Sequence, residues 1–255
     1  MKLSISQISP KLSRDNIKKH IKMIDLAIKN DSDLVVFPEL SLNGYLMMDL
    51  VFEEAYDVDE LDIFKAKSKE IDILLGVALR EEHKIFNSAI YFSNGEILHI
   101  YHKNILPNYG MFQEARFFFA GKDIDSFECG FGTAVCVICE DLWSAKTVEK
   151  IASLKPDIVF VLSASPARVF EDNGLMIQKQ WRSILETTAN LSGSYVIFAN
   201  RVGFEDGLGF WGGSRVVDAN GKAELKLPLF EESLMDMELS HKISENRKYL
   251  LRIES

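Results

Sequence analysis

Cysteine, proline and basic charge are all scarce in this chain. Three cysteines in 255 residues, an odd number, supply no disulfide framework and make a reducing cytoplasm the expected compartment. Prolines number only six, and no linker, low-complexity segment or internal repeat interrupts the pattern. Lysine and arginine total 29 against 38 acidic residues, a net charge of −9. That balance argues against a phosphate-tracking surface, so nucleic acid is not an expected partner. Long apolar runs are missing too. DILLGVAL and DIVFVLSA are too short to span a bilayer and read as buried strands, so no membrane is expected. The opening MKLSISQISP alternates apolar and polar residues and makes a poor signal peptide. At this length one hydrophobic core is near its upper limit, and residues 1–255 are expected to form one domain.

What remains is an ordinary globular composition, 47% hydrophobic and 26% charged. LSISQI alternates as a strand does. The segment SRDNIKKHIKMIDLAIKN places Ile17, Ile21, Ile24 and Ile28 on one face, which predicts an amphipathic helix with Ser13 or Asp15 as its N-cap. His20 lies on that helix, and His20 and His241 are both assigned to helical or polar surface segments. DLVVF runs into Pro38, which ends a strand because it cannot donate to a sheet. IDILLGVAL, NSAIYFS, EILHIYHK, TAVCVICE, DIVFVLSA, SYVIFANRV and GGSRVVD follow as strands. Asn94-Gly95 predicts a hairpin, and Asn220-Gly221 closes the last of these strands. Helices fit TVEKIASL and the segment from Gly174 to Leu191. Strands interleaved with helices, many apolar on both faces, predict an α/β protein of sheets covered by helices.

The stretch VCVICEDLW holds two of the three cysteines in a C-x-x-C spacing. Structural zinc needs about four ligands, and no second pair exists; Cys129 is assigned to a glycine-flanked loop. A redox pair would bring both sulfurs to a helix start. Here alternation along the strand turns Cys136 and Cys139 to opposite faces. Cys136 reads as core packing. Cys139 stands where the strand ends, a place that exposes a rigidly held group, with the next backbone N–H free to face an oxyanion. Histidine is the usual activator of a thiol, but none of the five sits in a local signature with it. Two other strand ends carry charge: Glu39 in FPEL and Lys103 in YHKNILP.

FPEL, HKNILPNY and CEDLW, in that order, resemble the nitrilase (carbon–nitrogen hydrolase) superfamily. The likeness continues through NGEILHIYHK, VLSASP, ANLSGSYVIFANRVG and WGGSRVVDANG, over nearly the whole chain. GYLMMDL, LPNYGMFQEARFF, CEDLW and SASP are most similar to the glutaminase domain of glutamine-dependent NAD synthetases. The resemblance implies a four-layer α-β-β-α sandwich, a Glu39-Lys103-Cys139 triad, no cofactor and no metal, and a homodimer or higher oligomer. Glu114 matches a second glutamate beside the triad; its other reading is a surface residue paired with Arg116. Tyr45, Tyr109, Trp143 and Ser165 match acyl-pocket positions, each also readable as core packing, and Glu140 is a candidate for recognising an α-amino group. Arg168 and Arg182 are cations that a substrate carboxylate would suit, and neither is assigned a role.

The implied function is a thiol amidohydrolase that cleaves a small carboxamide, glutamine-like or otherwise, through a thioester. An N-carbamoyl amine hydrolase, a nitrilase, and a glutaminase subunit that supplies ammonia to a separate synthetase are the alternatives. A non-catalytic binding protein and a Cys136–Cys139 redox protein rank below them.

Overall fold

The computed structural model describes residues 1–172 and 174–239, so His241 lies outside the described residues. Two six-stranded sheets form the middle of the molecule. The first contains β1 (Lys2–Gln7), β2 (Leu34–Val36), β3 (Asp72–Glu81), β4 (Lys84–Ser93) and β5 (Glu96–His102). The second contains β6 (Ser126–Cys129), β7 (Gly132–Ile138), β8 (Ile158–Ser163), β9 (Tyr195–Asn200), β10 (Arg215–Val217) and β11 (Ala223–Lys226). The last strand, β12 (Ser233–Glu238), returns to the first sheet and pairs antiparallel with β1.

Each sheet has three parallel strands at its heart: β1, β2 and β3 in one, β7, β8 and β9 in the other. Parallel neighbours need a crossover, and helices supply it. Helix α1 (Asn16–Lys29) joins β1 to β2, and α2 (Asp62–Lys67) lies between β2 and β3. Likewise α3 (Ala145–Leu154) joins β7 to β8, and α4 (Met176–Ser192) lies between β8 and β9. One apolar core lies under α1 and α2, where Ile24, Ala27, Phe37, Phe64 and Ile73 pack. A larger one runs between the two sheets and on beneath α3 and α4, from Ile5 and Leu74 through Val137 and Val161 to Trp181 and Leu185. The result is a four-layer α-β-β-α sandwich. No helix among the described residues is long and apolar enough to cross a membrane.

Most expected elements appear, with instructive exceptions. Asn94 and Gly95 both take positive φ (53° and 87°), which suits the twist of the β4–β5 hairpin. Asp15 holds the N-cap position of α1, but its carboxylate binds Lys18 instead of capping the helix. Cys129 is not in a loop: it ends the edge strand β6, at the turn into β7. The edge strands β11 and β12 were not expected, because AELK and SLMDME are too polar to read as buried strands.

His20 also differs from expectation: it is fully buried rather than on a surface. Its Nδ1 donates to the Asn16 carbonyl at 2.8 Å, which leaves Nε2 to accept from the Ser41 hydroxyl at 2.9 Å. The ring stacks on Phe37, with centroids 4.3 Å apart. A buried histidine with both nitrogens satisfied is a neutral one, and burial lowers its pKa to about 4. Folding thus favours the uncharged ring. Its stabilisation is complete above the ordinary histidine value and is lost as pH falls from about 6.5 towards 4. The shift corresponds to about 3 kcal/mol at most. Thermal melting followed between pH 7 and 4.5 is expected to show a steeper fall for the wild type than for His20→Gln. Parallel curves for the two would remove His20 as the cause.

Candidate active site

The strand directions bring the chemistry to one edge. In sheet one β2 and β5 end at the same side, and just past these ends stand Glu39 and Lys103. In sheet two β7 ends at Ile138, so Cys139 follows directly, and Ser163 is the last residue of β8. Cys139 begins a short 3-10 turn (Cys139–Trp143) with φ of 46°, a left-handed conformation rare for a side chain of its kind. Such strain costs on the order of 1–3 kcal/mol and persists only where the surroundings enforce it. Leu40, next to Glu39, has φ of 48°. Gly76 on β3 lies against this bend, and a Cβ there would run into the backbone of Pro38, Glu39 and Leu40.

At the centre is the Lys103 ammonium, with no solvent exposure. It donates to Glu39 Oε1 at 2.6 Å and to Glu114 Oε1 at 2.8 Å. Glu39 is also fully buried; its Oε1 accepts from Asn87 Nδ2 at 2.8 Å and its Oε2 from the Ala164 N–H at 2.7 Å. Three donors leave one acceptor position of the carboxylate, on Oε2, unfilled by these bonds. Burial disfavours the lysine's charge, but Glu114 and Glu39 outweigh it and hold the ammonium well above its usual range. Burial lifts Glu114 to about 7; Glu39 adds to the rise and Lys103 opposes it. The Cys139 thiol is likewise pushed well above the ordinary cysteine value, first by burial of its sulfur and then by Glu39, against the pull of Lys103. That direction favours the protonated thiol at Cys139. The Ser163 hydroxyl donates to its sulfur at 3.4 Å.

Above Cys139 opens a cleft of about 280 Å³. Tyr109, Glu140, Trp143, Ser165 and Arg168 line it. The Tyr109 hydroxyl donates to Glu140 Oε1 at 2.9 Å. Ser165 contributes to the wall with its hydroxyl already engaged, since that oxygen accepts from Trp181 Nε1 at 2.9 Å and Trp211 Nε1 at 3.2 Å. Arg168 lies over the Phe112 ring, 4.4 Å from its centroid. Tyr45 is placed elsewhere than the cleft wall: its hydroxyl donates to Glu114 beside the lysine. Glu114 is buried in this network, which removes the surface reading, and Arg116 faces Asp49 instead. Arg182 binds Glu186 on an exposed part of α4. Among the described residues no histidine is hydrogen-bonded to Cys139, and the three cysteines are free thiols.

Three side chains at the site escaped the sequence reading. Ser163 begins the SASP motif, but nothing in the motif marks it as facing the sulfur. Asn87 lay unremarked inside an apolar strand. Asp141 sat in plain view after Glu140, yet only the fold shows it buried and reaching the segment that carries Lys103.

Comparison with known proteins places the chain in a family. The pattern described as carbon-nitrogen hydrolase matches residues 2–248. The glutamine-dependent NAD(+) synthetase of Thermotoga maritima is 32% identical over 262 residues, covering 98% of this chain but 44% of that protein. A solved structure of glutamine-dependent NAD+ synthetase from Acinetobacter baumannii, also 32% identical, superimposes with a TM-score of 0.83 over 92% of this chain and 44% of the other. The chain thus spans less than half the length of these relatives. A carbon-nitrogen hydrolase structure from Helicobacter pylori shares the fold at a TM-score of 0.88, with 23% identity and coverage of 99% of this chain and 94% of that one. A match running over almost every residue cannot rest on one short motif, and this chain belongs to the carbon–nitrogen hydrolase family, as a hydrolase of carbon–nitrogen bonds.

Proposed function

We propose that the protein hydrolyses a small carboxamide through a Cys139 thioester and releases ammonia. The observation that carries this reading is the Lys103 ammonium fixed between two buried carboxylates at the edge where Cys139 follows the end of its strand. Glu39 takes the proton from Sγ as the sulfur attacks the amide carbon. A raised thiol pKa suits this order of events, because the proton stays on sulfur until the base removes it in the attack. The oxyanion of the tetrahedral adduct is met by Lys103 and by the Glu140 backbone N–H. Glu39 then returns its proton to the amide nitrogen, the C–N bond breaks, and ammonia departs, leaving a thioester. Water, deprotonated by the same carboxylate, attacks the thioester carbon; the acid leaves and the thiol regains its proton. Glu114 keeps Lys103 in place, with Tyr45 holding Glu114.

The cleft suggests an amino-acid amide. Glu140 offers a negative group for an α-ammonium, and Arg168, which lines the same cleft, offers a positive one for an α-carboxylate. Glutamine has both groups at one end and a carboxamide at the other. The likeness to glutamine-dependent synthetases, of which this chain matches less than half, supports this choice and raises a second reading: a glutaminase that passes ammonia to a separate protein.

Ammonia release is the first measurement, over a panel of glutamine, asparagine, ω-amides, N-carbamoyl amines and simple nitriles. Release from one class is expected, with none from Cys139→Ala. Lys103→Ala is expected to lose at least about a hundredfold in kcat, the typical cost of one oxyanion donor. Normal turnover by either variant would overturn the triad. A silent panel from folded protein would favour the partner-dependent reading.

Recognition of the amino-acid end is tested separately. Glu140→Gln and Arg168→Met are each expected to raise KM for glutamine about tenfold, equivalent to about 1.4 kcal/mol of binding. Neither should affect propionamide, which lacks both charges. An equal loss on both amides would assign these residues to packing instead.

A further inference from the structure

The two halves of the proposed chemistry sit on different sheets: Lys103 on the first and Cys139 on the second. Apolar contact between sheets is not directional, so it does not by itself set lysine against sulfur to a fraction of an ångström. One side chain outside the proposed triad is placed to do so. Asp141 has no solvent exposure and comes two residues after the nucleophile. Its Oδ1 accepts from the backbone N–H groups of Asn104 at 3.0 Å and Ile105 at 2.7 Å, the two residues that follow Lys103. Its Oδ2 accepts from the Tyr101 hydroxyl at 2.8 Å and from the Ile138 N–H at 3.0 Å. Tyr101 lies on the lysine's strand, and Ile138 immediately precedes the cysteine. A carboxylate has four acceptor positions, and here each is filled.

We propose that Asp141 is a positioning residue that registers Lys103 against Cys139 across the two sheets. This role rests on the thiol chemistry proposed above. Three of the four bonds run to backbone, two on the lysine's side of the gap and one on the cysteine's, so they place main chain rather than flexible side-chain ends. The bond to Ile138 also holds the left-handed bend at Cys139, and the pair at Asn104 and Ile105 fixes where the lysine strand stops. No isosteric replacement reproduces the arrangement. An asparagine keeps one oxygen and turns an NH2 towards the other two donors, leaving at least one buried backbone N–H without an acceptor.

Alkylation of Cys139 by iodoacetamide, itself a small carboxamide, tests this in the full-length chain. The rate is read from the mass of the Cys139 peptide, with circular dichroism confirming the fold. Asp141→Asn is expected to slow alkylation about tenfold or more, and Tyr101→Phe about threefold. On a Lys103→Met background both effects should shrink below about twofold, because there is no longer a lysine to register. Equal slowing with and without Lys103 would show a merely structural residue and overturn the role, as would unchanged alkylation in folded Asp141→Asn. If Asp141→Asn does not fold, the same comparison with Tyr101→Phe decides. Glu39→Gln serves as the reference for the chemistry itself: if it fails to slow alkylation of the otherwise wild-type protein, the base-assisted thiol reading falls, and the role of Asp141 with it.

Discussion

A lysine ammonium without solvent contact keeps its charge only where opposite charge faces it, and much of this architecture follows from that one requirement. Removing one partner of a buried ion pair costs about 3–5 kcal/mol, a large share of the stability of an ordinary domain. Lys103 has two partners, and two carboxylates about one cation would leave the cluster with excess negative charge. The conflict is relieved at Glu114, whose affinity for a proton rises to about 7, while Asn87 and the Ala164 N–H share Glu39. Each of these bonds ties another element to the lysine. Glu39 thereby spans the gap as well, with its Oε1 bound from the first sheet and its Oε2 from the second.

The same demand accounts for the strained and crowded backbone found at this edge. Cys139 and Leu40 take left-handed conformations, and Gly76 permits β3 to touch the Glu39 bend. A second buried ion pair, Arg201 with Glu205 at 3.0 Å, supports the same region from behind. Glu205 accepts the N–H of Tyr45 at 2.9 Å, and the Tyr45 hydroxyl reaches Glu114. The lysine is thus braced through Glu114 and Tyr45 back to the hairpin of residues 202–211.

Much of this could be read from the chain before its fold was known, for a definite reason. Glu39, Lys103 and Cys139 each follow an apolar run, and a charge or thiol at the end of a buried strand stands out locally. Ser163, Asn87 and Asp141 do not stand out, because their importance lies in what they face across a sheet or a gap, and alternation along one strand is silent about the opposite layer. His20 was misplaced for a related reason: a polar residue on an amphipathic helix is taken for a solvent-facing one unless its partners, Asn16 and Ser41, are known. Strands β11 and β12 were missed because edge strands exposed on one side carry too few apolar residues to show the period. Likeness to a known family supplied the sandwich, while periodicity alone reached only sheets covered by helices.

The chain's three tryptophans end up in one place. Trp181 and Trp211 share the Ser165 hydroxyl, and Trp143 meets Trp181 edge-on with ring centroids 5.4 Å apart. Trp143 and Trp181 form part of the cleft wall, and Trp211 is one hydrogen bond behind it. Every indole that emits in this protein is therefore within one contact of the space a ligand would fill. Its intrinsic fluorescence carries no background from distant tryptophans, and the molecule has its own optical gauge of an occupied cleft.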